Sequence, residues 1–561
     1  MIKRNITQTY RNLKRYQQIV LVLIKYGFDD ILSRLKFEFY FKLRKSIIPK
    51  YKEKDLERVT AAHRLRLALE ELGPTFIKLG QILSVRPDLI PIEMVEEFQK
   101  LQDEVPSFNI EKVHEIVERE FGKKTEELFK HFDDKPIAAA SIAQVHGAIT
   151  FDNKQVVVKI QRPDIKHVIE TDISILNEIA TLIQRYIPET ELYEPVEIVE
   201  EFAKTIRKEL DFIREGRNID RFGRNFEHDY TVYVPKVYWE LSSDQIITME
   251  RINGIKASDF NKLDRQGLDR KKIAYNGGIA SLEQVFIHGF FHADPHPGNI
   301  FILDDNVIAP IDYGMMGSID DELRLALGEI LTGIVKKDVN RIIKIFYNLN
   351  LLNDNTDDRG LRVDLTDFLE RYYQIPLSKL DMRRIINEFI EITRQYKIKL
   401  PSDLTMMGKA LIITEGWGRR LDPDFDLISM ATPYVKKLLL RKLDPRRHLD
   451  SFVDMIEDFN HLIKIFPSEM KSILEKIKRG QLTIKFEHQR LENLIRDLDK
   501  ASNRLSFSMI IAAIIIGSSM IVQLDKGPLL FGFPIIGIVG YLIAALLGLW
   551  LVIAIIRSGN L

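Results

Sequence analysis

The stretch His292–Ala293–Asp294–Pro295–His296–Pro297–Gly298–Asn299 decides the fold, together with Asp312–Tyr313–Gly314, which begins thirteen residues beyond Asn299. Between them, Ile300–Phe301–Ile302–Leu303–Asp304–Asp305–Asn306–Val307–Ile308 reads as strand, turn, strand. Such a hairpin brings Asn299 and Asp312 together over one metal pair. The same residues allow a second reading. His292, Asp294 and His296 alternate, so on a strand they would share one face and offer a transition-metal site. That reading leaves Asn299 and Asp312 unexplained, and Pro297–Gly298 breaks any regular strand.

An Asp followed five residues later by an Asn is the spacing of a kinase catalytic loop. There the Asp meets the substrate hydroxyl and the Asn side chain ligates magnesium. Asp312–Tyr313–Gly314 is then a variant of Asp-Phe-Gly, whose Asp also binds magnesium. Upstream, Gln155–Val156–Val157–Val158–Lys159–Ile160 reads as a buried strand carrying Lys159 where a phosphate-binding lysine belongs. Its partner should be a Glu on a following helix. Glu209–Leu210–Asp211–Phe212–Ile213–Arg214–Glu215 offers three acids. Asp211 and Glu215, four apart, are expected to share a helical face, and Glu215 is the chosen partner. Glu209 lies well round from Glu215 and should serve a different contact. Glu250, directly after the strand-like Gln245–Met249, joins Lys159 among the expected nucleotide contacts.

Two departures separate the chain from ordinary kinases. No Gly-x-Gly-x-x-Gly precedes Lys159; Ala138–Ala139–Ala140–Ser141 stands in its place. Alanines forbid most of the positive-φ backbone that glycines allow, so a tighter, more helical turn over the nucleotide is expected. After Asp312, Met315–Met316–Gly317–Ser318 should run almost at once into a helix near Ile319, and no Ala-Pro-Glu follows. The platform on which protein kinases dock peptides is missing from the pattern.

With these motifs the chain resembles the UbiB family, the AarF-domain atypical kinases. Leu72–Gly73–Pro74–Thr75–Phe76–Ile77–Lys78–Leu79–Gly80–Gln81 resembles its Lys-x-Gly-Gln signature, Ala138–Ser141 its alanine-rich loop, and Glu209–Asp211 its Glu-x-Asp motif. The resemblance covers roughly residues 60–320 and continues to 440. It implies an α+β, protein-kinase-like two-lobed fold with an N-terminal helical extension lying over the active site. Lys78, Gly80 and Gln81 would then regulate, with Lys78 contacting Glu209 and Asp211. It further implies ATP or ADP with Mg2+, ATPase activity, and a role in ubiquinone or related isoprenoid-quinone biosynthesis. Partners would be membrane lipids and isoprenoid-quinone intermediates or their biosynthetic enzymes; a homodimer is compatible with it. A true protein kinase and a nucleotide-switched scaffold are the alternatives.

Composition agrees with that class. The chain has 561 residues, enough for three or four units. Lys+Arg and Asp+Glu both total 81, so the basic excess of a nucleic-acid binder is absent. Cysteine is absent, which excludes disulfides, thiolate zinc sites, iron–sulfur clusters and cysteine nucleophiles. Residues 505–524 carry no charge, nor do 527–556, and each run is long enough to span a bilayer. The turn Asp525–Lys526–Gly527–Pro528 joins them into a transmembrane hairpin. Lys500, Arg504 and Arg557 flank its outer ends, which places both termini and the catalytic domain in the cytoplasm, on the inner membrane. Residues 1–54 hold fourteen Lys/Arg against four Asp/Glu, interleaved with Ile19, Leu23, Phe37, Phe39 and Phe41. Such a helix suits an anionic lipid surface, or else packs on its own domain. The expected organisation is a basic segment at 1–54, a helical extension at 55–130, a kinase-like domain at 131–440, a helical juxtamembrane segment at 441–504 and the hairpin at 505–556.

Overall fold

A computed structural model describes residues 2–29, 34, 59–441 and 491–557, apart from 85, 87–88, 102–104, 188–193, 353–355, 373–380, 524–527 and 531–532. Packing divides the chain into two units, Met1–Arg447 and His448–Leu561.

The first unit is built around the strand that carries Lys159. Strands β1 (His131–Phe132) and β2 (Ala138–Ala139) both pair with β3 (Ala143–Ile149), β3 with β4 (Gln155–Gln161), and β4 with β5 (Ile246–Glu250), all antiparallel. Alternation along β4 turns Val156, Val158 and Ile160 to one face, where they are fully buried against Val113, Ile116 and Val117 of the helix Ile110–Phe121. Each such burial is worth roughly 1.5–3 kcal/mol. The same period turns Val157 and Lys159 to the opposite face, toward the helix Phe212–Asn225. The predicted strand is therefore correct, and its register fixes which way the lysine points.

In the N-terminal extension, the helix Ala61–Leu72 starts at Thr60, whose hydroxyl accepts from the His63 N–H. It ends at Gly73, held at φ +95, where a side chain would be strained, and Pro74 then starts the helix Pro74–Leu83 without needing a hydrogen-bonded N–H. Leu69, Leu72 and Phe76 are buried, as their 3–4 spacing requires. The helix Ile2–Lys25 packs on the same cluster through Ile19, Val22 and Leu23. Arg15 fixes it there: its guanidinium donates to both carboxylate oxygens of buried Asp172, at 2.7 and 2.9 Å, and lies over the Phe76 ring. For residues 14–25 this is the own-domain packing alternative. Phe37, Phe39 and Phe41 lie outside the described residues.

The second lobe pairs β6 (Ile255–Lys256) with β8 (Ile300–Ile302) and β8 with β9 (Ile308–Pro310), so the hairpin expected after Asn299 is present. β7 (Phe290–His292) pairs with β10 (Met316–Ser318). Helices Arg270–Glu283 and Ser402–Leu421 form its core, and Trp417 anchors the latter by donating from Nε1 to the Ala257 carbonyl at 3.2 Å. The helix expected near Ile319 starts at Asp321, capped by the Asp320 carboxylate, because Met316–Ser318 is first drawn into pairing with β7. Val232 makes a single bridge to Ile308.

The second unit contributes the helices Leu491–Val522 and Ile535–Arg557, packed antiparallel: Gly537 lies against Val522, Gly540 against Ser518, and Phe507 edges onto Trp550. Ser502–Val522 and Ile535–Val552 have mean hydropathy of 2.3 and 2.5, with Leu505, Met509, Ile516, Leu546 and Leu549 exposed. Both are long and apolar enough to anchor the chain in a membrane. The turn between them and the juxtamembrane stretch at 442–490 lie outside the described residues.

Candidate active site

Lys159 and Glu215 meet as the sequence predicts. The ammonium donates to both carboxylate oxygens, at 2.8 and 2.9 Å, and Glu215 is 2% exposed. Glu215 reaches this place because it stands in the first turn of Phe212–Asn225, a helix whose start is fixed by Asp211. The Asp211 carboxylate accepts from the Arg214 N–H at 2.9 Å. Asp211 is therefore a cap. It neither shares a helical face with Glu215 nor faces Lys78, because an N-cap side chain must turn back onto the backbone. The Lys78 ammonium donates to Glu209 Oε1 at 3.0 Å. Both partners of that ion pair are largely buried.

The Asp-Tyr-Gly turn is tied to the neighbouring segments by hydrogen bonds. The Ile311 N–H donates to the Asn299 carbonyl at 3.0 Å, which brings the two predicted metal ligands into one cleft. Asp312 Oδ1 accepts from the Gly314 N–H at 3.0 Å. Asn218, one turn past Glu215, donates to the Tyr313 carbonyl at 3.0 Å, and the buried Tyr313 ring meets Phe222 edge-on. The helix that carries Glu215 thus reads the position of Asp312 directly.

Electrostatics follow from this burial. Burial opposes ionisation of Asp312, but Lys159, the Gly314 N–H and Lys78 together pull its pKa down to about 2. Burial opposes the charge on Lys159 too, yet Glu215 and Asp312 hold its pKa above the usual lysine value. Burial pushes Glu215 up against the pull of Lys159. The cleft thus holds a charged lysine under the attraction of two carboxylates. Asp312 and Asn299 are hard oxygen donors, and magnesium is commonly held by one or two carboxylates together with phosphates, so these residues fit it.

Asp294 is held in the same cleft by its backbone. Its N–H donates to His292 Nδ1 at 3.1 Å, the His292 N–H donates to Gln284 Oε1 at 2.9 Å, and the Ala293 N–H donates to the Met315 carbonyl at 2.9 Å. The strand ends at His292, and His296 Nδ1 accepts from the Gly298 N–H in a 3-10 turn. The three residues do not line one strand face, and among the described residues no group of three or more His, Asp or Glu side chains is placed to hold a metal ion.

The alanine loop corrects the expectation of a helical turn. Ala138 pairs with Val145 and Ala139 with Gln144, and the Ala140 N–H donates to the Ala143 carbonyl at 2.8 Å. The loop is tight but extended, because its backbone groups are used by β3. Arg162, which stands in no recognisable motif, locks it by donating to the Ala140 carbonyl at 2.8 Å and the Pro106 carbonyl at 2.9 Å. Ala138, Ala139 and Ala140 line the cleft, whereas Ser141 is fully buried behind them. Ala139→Gly should restore backbone freedom there and weaken ATP and ADP unequally, by a few-fold, in an equilibrium binding titration. Identical affinities for both nucleotides would remove the loop from phosphate recognition.

Lys159, Glu215, Asp294, Asn299, Asp312 and the three alanines open onto one cleft of about 1430 Å³. Lys78, Gln81 and Leu101 form part of its wall, so the extension borders the same space as Lys159 and Asp312. Gln81 donates to the Leu101 carbonyl at 3.4 Å. Gly80 has no room for a side chain: a Cβ there would come within 2.2 Å of Leu101 Cδ1. Glu250 also lines the cleft, with its carboxylate accepting from Tyr233 Oη at 2.8 Å. Lys409, on the helix Ser402–Leu421, is a cleft residue that sequence reasoning missed. No motif surrounds it.

This layout defines a kinase-like domain of atypical type, in which alanines replace the glycine loop and a helical extension supplies part of the cleft wall. Residues 100–346 match the ABC1 atypical kinase-like domain, 365–426 the UbiB helical domain, and 489–557 the ABC1/UbiB kinase-like C-terminal domain. The chain belongs to the UbiB family. It is 36% identical to a probable protein kinase UbiB of Xylella fastidiosa over 78% of its own length and 80% of that protein. A probable protein kinase UbiB of Pseudomonas fluorescens is 34% identical over 83% and 88% of the two chains. A Clostridium pasteurianum protein named for its place in the hydrogenase 1 5' region is 36% identical over 98% and 99%.

Proposed function

We propose that the protein is a membrane-anchored, ATP-dependent enzyme that binds magnesium-nucleotide in the cleft and passes the terminal phosphoryl group to water or a small acceptor, in support of ubiquinone or another isoprenoid-quinone pathway. The observation that carries this reading is the meeting of the Lys159–Glu215 ion pair with Asp312 and Asn299 in one cleft. Lys159 would align the phosphates, the alanine loop would cover them, and Asp294 would take the acceptor's proton. Magnesium, held by Asp312 and Asn299, would neutralise charge on the phosphate oxygens. A small or lipid-soluble acceptor is favoured over a protein, because Met316–Ser318 is bound to β7 and leads directly into a helix instead of an open docking segment. Membership of the UbiB family supports the quinone assignment. The two apolar helices support anchoring, and the flanking Lys500, Arg504 and Arg557 support an inner-membrane placement with the cleft in the cytoplasm. Isoprenoid-quinone intermediates or their biosynthetic enzymes, and anionic lipids, are the partners this reading implies.

Phosphate release by the full-length protein in vesicles tests it. Turnover should need magnesium, stop with EDTA, and rise when neutral phosphatidylcholine vesicles are doped with phosphatidylglycerol. Each well-placed basic residue adds about 1 kcal/mol of attraction to an anionic surface, so raised salt should erase that rise. Turnover that ignores magnesium would sink the nucleotide reading. Turnover that ignores anionic lipid at low salt would make the membrane an anchor only.

A further inference from the structure

The transition state of phosphoryl transfer spreads negative charge over three oxygens, and cations fixed around it lower the barrier. The catalytic loop His292–Asn299 contains no Lys or Arg. The other cations along the cleft are either engaged or solvent-exposed. Lys78 is bound to Glu209, Lys159 to Glu215, and Lys100 to Glu97; Arg251, Lys256 and Arg383 are exposed. Lys409 differs. It is half-buried, it lines the same cleft as Asp294, and it makes no hydrogen bond or ion pair among the described residues. One turn earlier on the same helix face stands Thr405, whose buried hydroxyl has no hydrogen-bond partner among the described residues. The helix is held rigidly by the Trp417 bond to the Ala257 carbonyl. A half-buried ammonium and a buried hydroxyl, spaced i+4 and i on a helix that lines one cleft, leave two donors without acceptors among the described residues.

We propose that Lys409, assisted by Thr405, is a catalytic residue that holds the terminal phosphoryl group of the nucleotide from the acceptor side. The proposal rests on the nucleotide reading of the cleft. In the step it serves, the acceptor oxygen bonds to the terminal phosphorus while the bond from phosphorus to the bridging oxygen of ADP breaks. The acceptor's proton passes to Asp294, and ADP leaves with the bridging oxygen. Burial pulls the Lys409 pKa below the usual lysine value, with Asp294 opposing that fall, so an arriving phosphate oxygen would stabilise its charge.

The test compares ATP with ADP. Lys409→Met keeps most of the length of the side chain and removes its charge. It should weaken binding of a non-hydrolysable ATP analogue about tenfold, leave ADP within about twofold, and lower turnover on the order of a hundredfold; Lys409→Arg should recover part of the ATP affinity. Thr405→Val should show the same ATP-selective loss on a smaller scale, which keeps the test open should Lys409→Met fail to fold. Equal losses for ATP and ADP, or none for either, in both variants would overturn the assignment. A parental protein that binds neither nucleotide would instead overturn the reading of the cleft itself.

Discussion

Asp312→Asn should leave the protein folded and abolish its magnesium-dependent turnover. The substitution is isosteric, and the Asn carbonyl oxygen can still accept from the Gly314 N–H that now meets Asp312 Oδ1 at 3.0 Å. What disappears is the buried negative charge. Its removal should cost several kcal/mol of transition-state stabilisation, and each 1.36 kcal/mol is a factor of ten, so a loss on the order of a hundredfold or more is expected. Phosphate release across a magnesium titration, alongside a melting curve, separates the two effects. The folded pKa of about 2 lies below the unfolded value of about 3.9, so the stability Asp312 contributes is complete above that value and is lost only as the pH falls toward 2. Acid sensitivity of turnover near neutrality must therefore come from another group. Parental turnover by Asp312→Asn would place the metal elsewhere.

Lys159→Ala and Glu215→Ala should each be severe, and together they should be less severe than their sum. Either change leaves an uncompensated charge in a buried site, which typically costs about 3–5 kcal/mol. The double variant removes both charges, so a coupling of about 1–3 kcal/mol should appear in thermal or denaturant unfolding. The single variants should also differ from each other. In Glu215→Ala, Lys159 remains under the attraction of Asp312 and should turn toward it, competing with magnesium. That variant should need more magnesium for half-maximal residual turnover, while Lys159→Ala should not. Strictly additive stability losses would break the pair.

Much of this site could be read from the chain because its rules are local. A period of two along Gln155–Gln161 buries Val156, Val158 and Ile160 and so presents Lys159 to the opposite face. The strand–turn–strand between Asn299 and Asp312 needs only the apolar runs and the Asp304–Asn306 turn. Local rules also explain the misreadings. Asp211 was legible as an acid near Glu215, but an Asp at a helix start is as good a cap as a ligand, and capping won. Alanine propensity favoured a helical turn at Ala138–Ala140; pairing with β3 overrode it, since a strand edge offers backbone partners that propensity ignores.

By itself, then, the sequence determined the two-lobed kinase-like class, the Lys159–Glu215 partnership, the Asn299–Asp312 pair, and two helices long and apolar enough to anchor the chain in a membrane. Only the tertiary structure decided that Lys78 meets Glu209 and not Asp211, that Arg162 locks the alanine loop, that part of the first helix spends its apolar face on its own domain, and that Lys409 joins the cleft. The reason is range. Periodicity, capping and turn chemistry act over a few residues and leave a mark in the sequence. Lys409 reaches the cleft through helix packing far downstream of Asp294, and Arg15 reaches Asp172 across 157 residues of chain, so no pattern near either residue records its partner.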